Sequence, residues 1–320
     1  MTSAPLAKGS VSLRLYPHNE LDAIGVHDEL IAQAVLGIEG GFDGIMLSEH
    51  HGGLGGYLAS PLQMSGFVLE STPLGWAAPS PLLLPLRPTA GVAEEVAWLA
   101  VRHRGRVGLG VAAGGRPLDF EAMGLDPTQA VPVFKRELPR LVAMLEGRDL
   151  DGLEGDRAFQ RCVTDPVPVT SAAIATGAAR RAAEAGAGIL MEGISPVDKL
   201  AKCCAAYDAA GGRHAKILIR RVWLGEPDAS LIESQRRFYE QGSTTGLSLP
   251  EDQTIATDDP VEMSERLVDI VRRSGADALN IRVHLPGIPA PAIREQIAAL
   301  VADVLPRVRP GVEAAAGLTR

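Results

Sequence analysis

The stretch Leu47-Ser48-Glu49-His50-His51-Gly52-Gly53 puts an acid and two imidazoles side by side. Imidazole exchanges protons near neutral pH, which suits it to general acid–base work. The apolar run Gly44-Ile45-Met46-Leu47 leads into the stretch, and glycines let the chain turn away after it. This is the pattern of a strand's C-terminal end, where α/β barrels place catalytic side chains. Glu49, His50 and His51 are therefore the catalytic candidates. Successive side chains at a strand end point opposite ways, so both histidines need not reach the reacting group. The plainer reading is a polar loop whose histidines are satisfied by their neighbours.

A cluster of this kind needs a frame, and the chain alternates short apolar runs with segments of helical period. The strand candidates are Val11–Leu15, Gly44–Leu47, Leu74–Ala77, Val107–Val111, Val167–Ser171, Gly188–Met191, Ile217–Trp223 and Ala278–Val283. Helical spacing marks Asp28–Glu39, Ala90–Arg102, Val131–Leu145, Gly177–Ala185, Pro196–Ala209, Val261–Arg273 and Ala292–Leu305. Alternation implies parallel strands covered by helices. The strand count over about 300 residues predicts an α/β fold, a (β/α)8 TIM barrel, with an open doubly wound sheet as the alternative. The whole chain, 1–320, reads as a single domain. Much of Leu224–Asp259 within it, rich in Gly, Ser, Thr and Pro, is expected to be loop: an insertion or lid after strand seven lying over the barrel mouth. Met1–Gly9 and Gly311–Arg320 are expected to be loose ends.

Composition narrows the class. Hydrophobic residues make up 46% of the 320 and charged residues 22%, enough for a large core. A net charge of −8 argues against an extended nucleic-acid surface but allows a small anion pocket. Apolar runs such as Pro81-Leu82-Leu83-Leu84-Pro85 are short and broken by proline, so no membrane span is expected. No basic region followed by an apolar segment opens the chain, so no signal peptide is expected. Cys162 and the adjacent Cys203 and Cys204 suggest reduced thiols and a cytoplasmic location, with the pair buried rather than reactive or metal-binding.

The run Gly105-Arg106-Val107-Gly108-Leu109-Gly110-Val111-Ala112-Ala113-Gly114-Gly115 matches a dinucleotide fingerprint at Gly108, Gly110 and Ala113. It follows three earlier strands, Gly114-Gly115-Arg116-Pro117 does not open a good helix, and no acid ends a second strand downstream. The better reading is a barrel strand whose end, at Val111 and Ala112, meets a ligand.

In order and spacing these pieces resemble the bacterial luciferase-like flavin-dependent oxidoreductases over roughly Val11 to Val308. The resemblance rests on Ser48-Glu49-His50-His51, on Leu84-Pro85-Leu86-Arg87-Pro88-Thr89 with Ala93-Glu94-Glu95, on Gly105-Arg106 with Leu109-Gly110 and Gly114, on Phe120-Glu121-Ala122-Met123-Gly124, and on Ala182-Ala183-Glu184-Ala185-Gly186-Ala187-Gly188. It implies a barrel that binds reduced FMN, or the deazaflavin F420, at its C-terminal mouth. The paired histidines are more like the FMN monooxygenases, which oxidise an organic substrate with dioxygen; F420 members transfer a hydride. By the same resemblance His50 is the acid/base, with Glu49 or a backbone group orienting it. Ser80-Pro81 corresponds to a cis peptide against the flavin, and the helix start at Ala175, Thr176, Gly177 and Ala178 offers N–H groups to the cofactor phosphate. The alternative for Thr176 is an ordinary cap. An arginine of some relatives near Ala113 is missing, with Arg116 the nearest substitute, and so is an acid after strand five.

Two other classes stay open on sequence. Glu49, His50, His51 and His284 would suit a metal-dependent hydrolase, and a non-catalytic barrel would leave the histidines structural. The expected partners are a small, substantially apolar substrate, because the mouth shows few fixed charges, and a separate flavin reductase. A homodimer is expected through apolar faces carrying Leu30, Ala34, Ile38, Leu62, Phe67 and Val68.

Overall fold

The computed structural model describes residues 3–242 and 253–318. Its first half contains β1 (Val11–Leu15), α1 (Ala23–Glu39), β2 (Gly44–Leu47), α2 (Pro61–Ser71), β3 (Trp76–Pro79), β4 (Leu82–Leu83), α3 (Thr89–Arg102), β5 (Leu109–Ala112), α4 (Pro117–Glu121) and α5 (Ala130–Leu145). Then come α6 (Arg157–Cys162), β6 (Val169–Ala172), α7 (Thr176–Glu184), β7 (Gly188–Met191), α8 (Val197–Ala209), β8 (Lys216–Leu224) and α9 (Ala229–Gly242). The described elements close with β9 (Ile255–Thr257), α10 (Pro260–Ser274), β10 (Ala278–Arg282), α11 (Ala290–Ala299) and α12 (Leu305–Ala315). Side chains choose the boundaries: Asp22 caps α1 by accepting from the Gly25 amide at 2.8 Å, and Asp259 caps α10 by accepting from Val261 at 2.7 Å.

Parallel strands follow the order β3-β2-β1-β10-β8-β7-β6-β5-β4, with β9 added beside β8. β3 and β4 are two arms of one stave, parted at the Ser80-Pro81 peptide, which is cis. The first arm pairs with β2 and the second with β5, while a bridge between Ala77 and Val107 brings the two edges together. The result is a nearly closed α/β barrel rather than an open sheet.

Period-two alternation divides the strand residues between two cores. Val11, Leu13, Ile45, Leu109, Val111 and Leu218 pack outward under the helices. Met46, Trp76, Ala78, Leu190, Ile217 and Ala278 fill the barrel, joined from below by Leu6. The flat Trp76 indole makes Gly44 obligatory, because a Cβ there would lie 2.0 Å from the ring.

Several expectations are corrected. Within Leu224–Asp259 the structure adds two regular elements, α9 and β9; Glu233 bridges Arg237 one turn on, the spacing that supports a helix. Residues 243–252 of that segment lie outside the described residues. The ends are not loose where described. Leu6 is buried, the Gly9 amide donates to the Asp277 carbonyl at 2.6 Å, and Val312 of α12 is buried while Arg309 reaches Asp43 at 2.8 Å. The strand expected at Leu74–Ala77 starts later, at Trp76, because Gly75 turns with φ 72° and leaves Leu74 exposed. Pro117 starts only the short α4, of five residues.

Candidate active site at the barrel mouth

The Glu49-His50-His51 stretch leaves β2 at the C-terminal mouth, held by backbone bonds from the Glu49 amide to Pro81 and from the His50 amide to Leu58. The two imidazoles diverge to different carboxylates. His51 is buried and its Nε2 lies 2.8 Å from Glu49 Oε1. The Glu49 carboxylate also accepts from the Leu83 amide and from Arg87. Glu49 therefore does not orient His50. That role falls to Asp119 of α4, whose Oδ2 lies 2.8 Å from His50 Nδ1 while its Oδ1 accepts from the His51 amide at 2.8 Å. Burial alone would raise the Asp119 carboxyl. The bond and charge of His50, the His51 amide and the charge of Arg116 outweigh burial and hold it below its ordinary value. The His50 side chain keeps 21% of its surface exposed, lies edge-on to Tyr57, and its Nε2 has no hydrogen-bond partner among the described residues. A partly exposed ring fixed through Nδ1, with Nε2 unbonded, is built to move a proton.

The side of the mouth formed by β3 to β7 carries small side chains. Gly110 is opposite Thr170, and Thr170 opposite Gly188. A Cβ on Gly110 would meet Ser80 Oγ at 2.1 Å. Ser80 Oγ and Thr170 Oγ1 are buried with no hydrogen-bond partner. One step nearer the mouth Ala112 and Ala172 are only half-buried. Val111, expected at the ligand, instead packs into the outer core beneath the helices, so Ala112 alone of that pair faces inward. Ala175 precedes α7, and no side chain caps it, so Thr176 is not the ordinary cap and the first N–H groups of Thr176, Gly177 and Ala178 lack a side-chain acceptor.

The opposite side, formed by β1, β10 and β8, carries large basic and aromatic groups. Arg14 is 1% exposed inside the barrel. Its Nε donates to Asn280 Oδ1 at 2.7 Å, and its Nη1 donates to the Ser80 carbonyl at 2.6 Å and to Ser48 Oγ. The Arg282 guanidinium lies 4.3 Å over the Tyr16 ring, and Tyr16 stacks on His284 at 5.2 Å. Burial, helped by the charges of Arg282, His18 and Arg221, pushes His284 well below the ordinary histidine value, so it is neutral. Three guanidinium groups at the mouth contradict the expectation of few fixed charges. The metal-site reading also fails: His284 sits with Tyr16 and His18, away from Glu49, and no group of three or more His, Cys, Asp or Glu among the described residues could hold an ion. The three cysteines are buried and unpaired, and burial pushes the Cys204 thiol up to about 12.

The geometry fits a flavin. The side chains along β5 and β6 are small, two buried hydroxyls lack partners, and the uncapped start of α7 lies at the same end. Residues 11–301 match the luciferase-like monooxygenase family. The chain belongs to that family. An uncharacterized protein of Mycobacterium tuberculosis is 29% identical over 174 residues, and one of Mycobacterium bovis matches equally; the aligned part spans 51% of this chain and 58% of theirs. In fold the luciferase-like chain is similar to monooxygenase RslO1 of Streptomyces bottropensis, with a TM-score of 0.75 and 18% identity over 93% of this chain and 99% of that one. The oxygenating constituent of 3,6-diketocamphane monooxygenase of Pseudomonas putida, in complex with FMN, gives a TM-score of 0.74 and 17% identity over 93% and 98%. An F420-dependent secondary alcohol dehydrogenase gives 0.71 and 18% over 94% and 99%.

Sequence reasoning missed Asp119, Arg14, Tyr16, Tyr57 and Arg282. Arg14 carried a signal, since a charge at an inward position of an apolar strand is either paired or functional. Asp119 lies 69 residues from His50 in sequence and carried none.

Proposed function

We propose that this oxidoreductase is a monooxygenase in which reduced FMN and dioxygen oxidise a small organic substrate. The observation that carries this reading is His50, tethered to Asp119 and open at Nε2, across from a floor of small side chains with unbonded hydroxyls. Bound reduced FMN would supply two electrons and the activation of dioxygen, one oxygen atom entering the substrate and the other leaving as water. Ser80, Pro81 and Ala112 would support the ring, Thr170 would hydrogen-bond it, and Ala175 to Ala178 would take the phosphate. His50 would pass protons to and from the reacting atoms, and the packed mouth would exclude water. F420-dependent hydride transfer is the second reading, supported by the likeness in fold to the F420-dependent dehydrogenase. Titration with FMN and F420, each oxidised and reduced, decides between them: tight binding of reduced FMN alone supports the first, tight binding of F420 alone the second, and binding of neither rejects both.

A separate reductase supplying reduced FMN, a cytoplasmic location and a homodimer belong to the same proposal. Among the described residues no helix is long and apolar enough to cross a membrane. Leu30, Ala34, Ile38, Leu62 and Val68 are buried against the chain's own barrel, which leaves Phe67 and the nearby α1 residue Ile24 as the exposed apolar surface for a second copy. Light scattering at the 33.7 kDa monomer mass over a wide concentration range would reject the dimer.

A further inference from the structure

At the N-terminal end of the barrel, opposite the mouth, lies a cavity of about 390 Å³, a size that suits a small molecule. Its walls come from four stretches of chain: residues 4–8, the step from α3 to β5, the end of α6 with its loop to β6, and the loop before β8. Leu6, Val107 and Val167 are among its apolar lining, while Lys8, Arg161, Arg213 and His214 line it beside a single carboxylate, Asp165. The chain as a whole carries a net charge of −8, so three cations around one hollow run against its average. Asp165 pairs with Arg161 one turn away and answers that guanidinium alone. Lys8 reaches Asp277 outside the cavity at 3.8 Å, and the other Asp277 oxygen accepts from the Lys216 amide at 2.7 Å. Arg213 and the His214 ring have no hydrogen-bond or ion-pair partner among the described residues. The wall is also firmly built. Leu6 holds φ 52°, a costly conformation for a residue with a side chain, because that side chain plugs the barrel core and lies where a Cβ on Gly108 would meet it at 2.8 Å.

We propose that this cavity binds a small organic anion with an apolar body, its anionic group between Arg213, His214 and Lys8 and its body along Leu6 and Val167. An apolar wall behind the cations weakens the competition of water for their charge. A ligand held by four separate stretches ties them together, and it stabilises the folded chain as its concentration rises above its dissociation constant. In barrels of this kind the N-terminal end serves stability and the C-terminal end serves chemistry, so the ligand is not the substrate. The site lies away from His50 and stands whether or not the monooxygenase reading holds.

The test is calorimetric titration of the full chain with octanoate and with 1-octanol, its neutral counterpart, first without flavin and then with saturating oxidised FMN. Octanoate is expected to bind about tenfold more tightly than octanol in both states, the size of one charge-assisted hydrogen bond. Arg213→Gln should remove most of that preference without weakening octanol, and Arg213→Lys should keep part of it; melting curves confirm that both variants fold. Hydrogen exchange then locates the ligand: saturating octanoate should protect residues 4–8 and 213–215 and leave residues 48–53 at the mouth unchanged. Equal affinities for the two probes, a preference unchanged in Arg213→Gln, octanoate binding lost once FMN is bound, or protection of 48–53 without 4–8 would each overturn the proposal.

Discussion

On the β5–β6 side of the mouth, Gly110, Ala112, Thr170 and Ala172 stop close to their own strands; on the β1–β10 side, Arg14, Tyr16, Arg282 and His284 pack on one another. One side carries small side chains and unbonded hydroxyls, the other charge and stacked rings. The two are built on the same parallel staves, so the asymmetry comes from side chains alone. It separates two tasks: a bulky cofactor needs the small side, while recognition of a small reactant needs the rich one. His50 stands at the end of β2, between them. Proton chemistry placed at that boundary would reach both ligands of the proposed reaction.

The boundary gives the largest expected effect. His50→Ala should cut single-turnover oxidation by about 10²- to 10⁴-fold, the usual contribution of a general acid–base group, with FMN affinity little changed. An unchanged rate with prereduced cofactor bound would return the histidine pair to a structural role. Asp119→Asn should lower the rate by about 10- to 100-fold, in line with roughly 1.5–3 kcal/mol for a charge-assisted hydrogen bond. Because Asp119 is held below its ordinary value in the fold, its contribution to stability is present at neutral pH and lost as pH falls through that lowered value. The asparagine variant should therefore show a shallower acid-side loss in urea melts, and an identical acid limb would contradict the pairing.

The small side is tested by filling it. Gly110→Ala puts a methyl 2.1 Å from Ser80 Oγ, so flavin affinity should drop and stability should fall by about 1–3 kcal/mol. A variant that binds FMN as the wild type does would show that the ring lies elsewhere. On the basic side the sharpest small effect is from His284. Its folded value lies below 6.5, so below that pH the unfolded chain takes up a proton that the buried ring refuses. Stability should fall by about 1.4 kcal/mol per pH unit in that range until the folded ring also protonates. His284→Gln should lose that slope. Denaturant midpoints at pH 7.5 and 5.5 read it, and equal slopes in both proteins would place His284 in a more open setting than the structure does.

What the sequence made legible follows the same division. β1, β2 and β7 are apolar runs between clear breaks and lie where the sequence placed them. The family was readable because its motifs sit at strand ends in a fixed order. The small side was partly legible, since glycines and alanines at a strand end mark close approach. The basic side was not. Arg14 and the Arg282–His284 segment lie near opposite ends of the chain and become neighbours only because β1 and β10 pair to close the barrel. Asp119 needed the short α4 to fold back on the β2 loop, and nothing local to it announces that contact. α9 was hidden by the Gly, Ser and Thr around it, although its Glu233–Arg237 spacing was helical. α12 was hidden by Pro306, Pro310 and Gly311, which read as stops; the packing of Val308 and Val312 overrides them.

The proposed function puts a flavin on the small side of the mouth, against β3 to β6. Hydrogen exchange under anaerobic conditions, with and without saturating reduced FMN, tests it most directly. Residues 48–53, 78–82 and 175–178 should be protected, with residues 4–8 at the opposite end of the barrel unchanged. Saturating ligand with no protection in any of those three segments would contradict it.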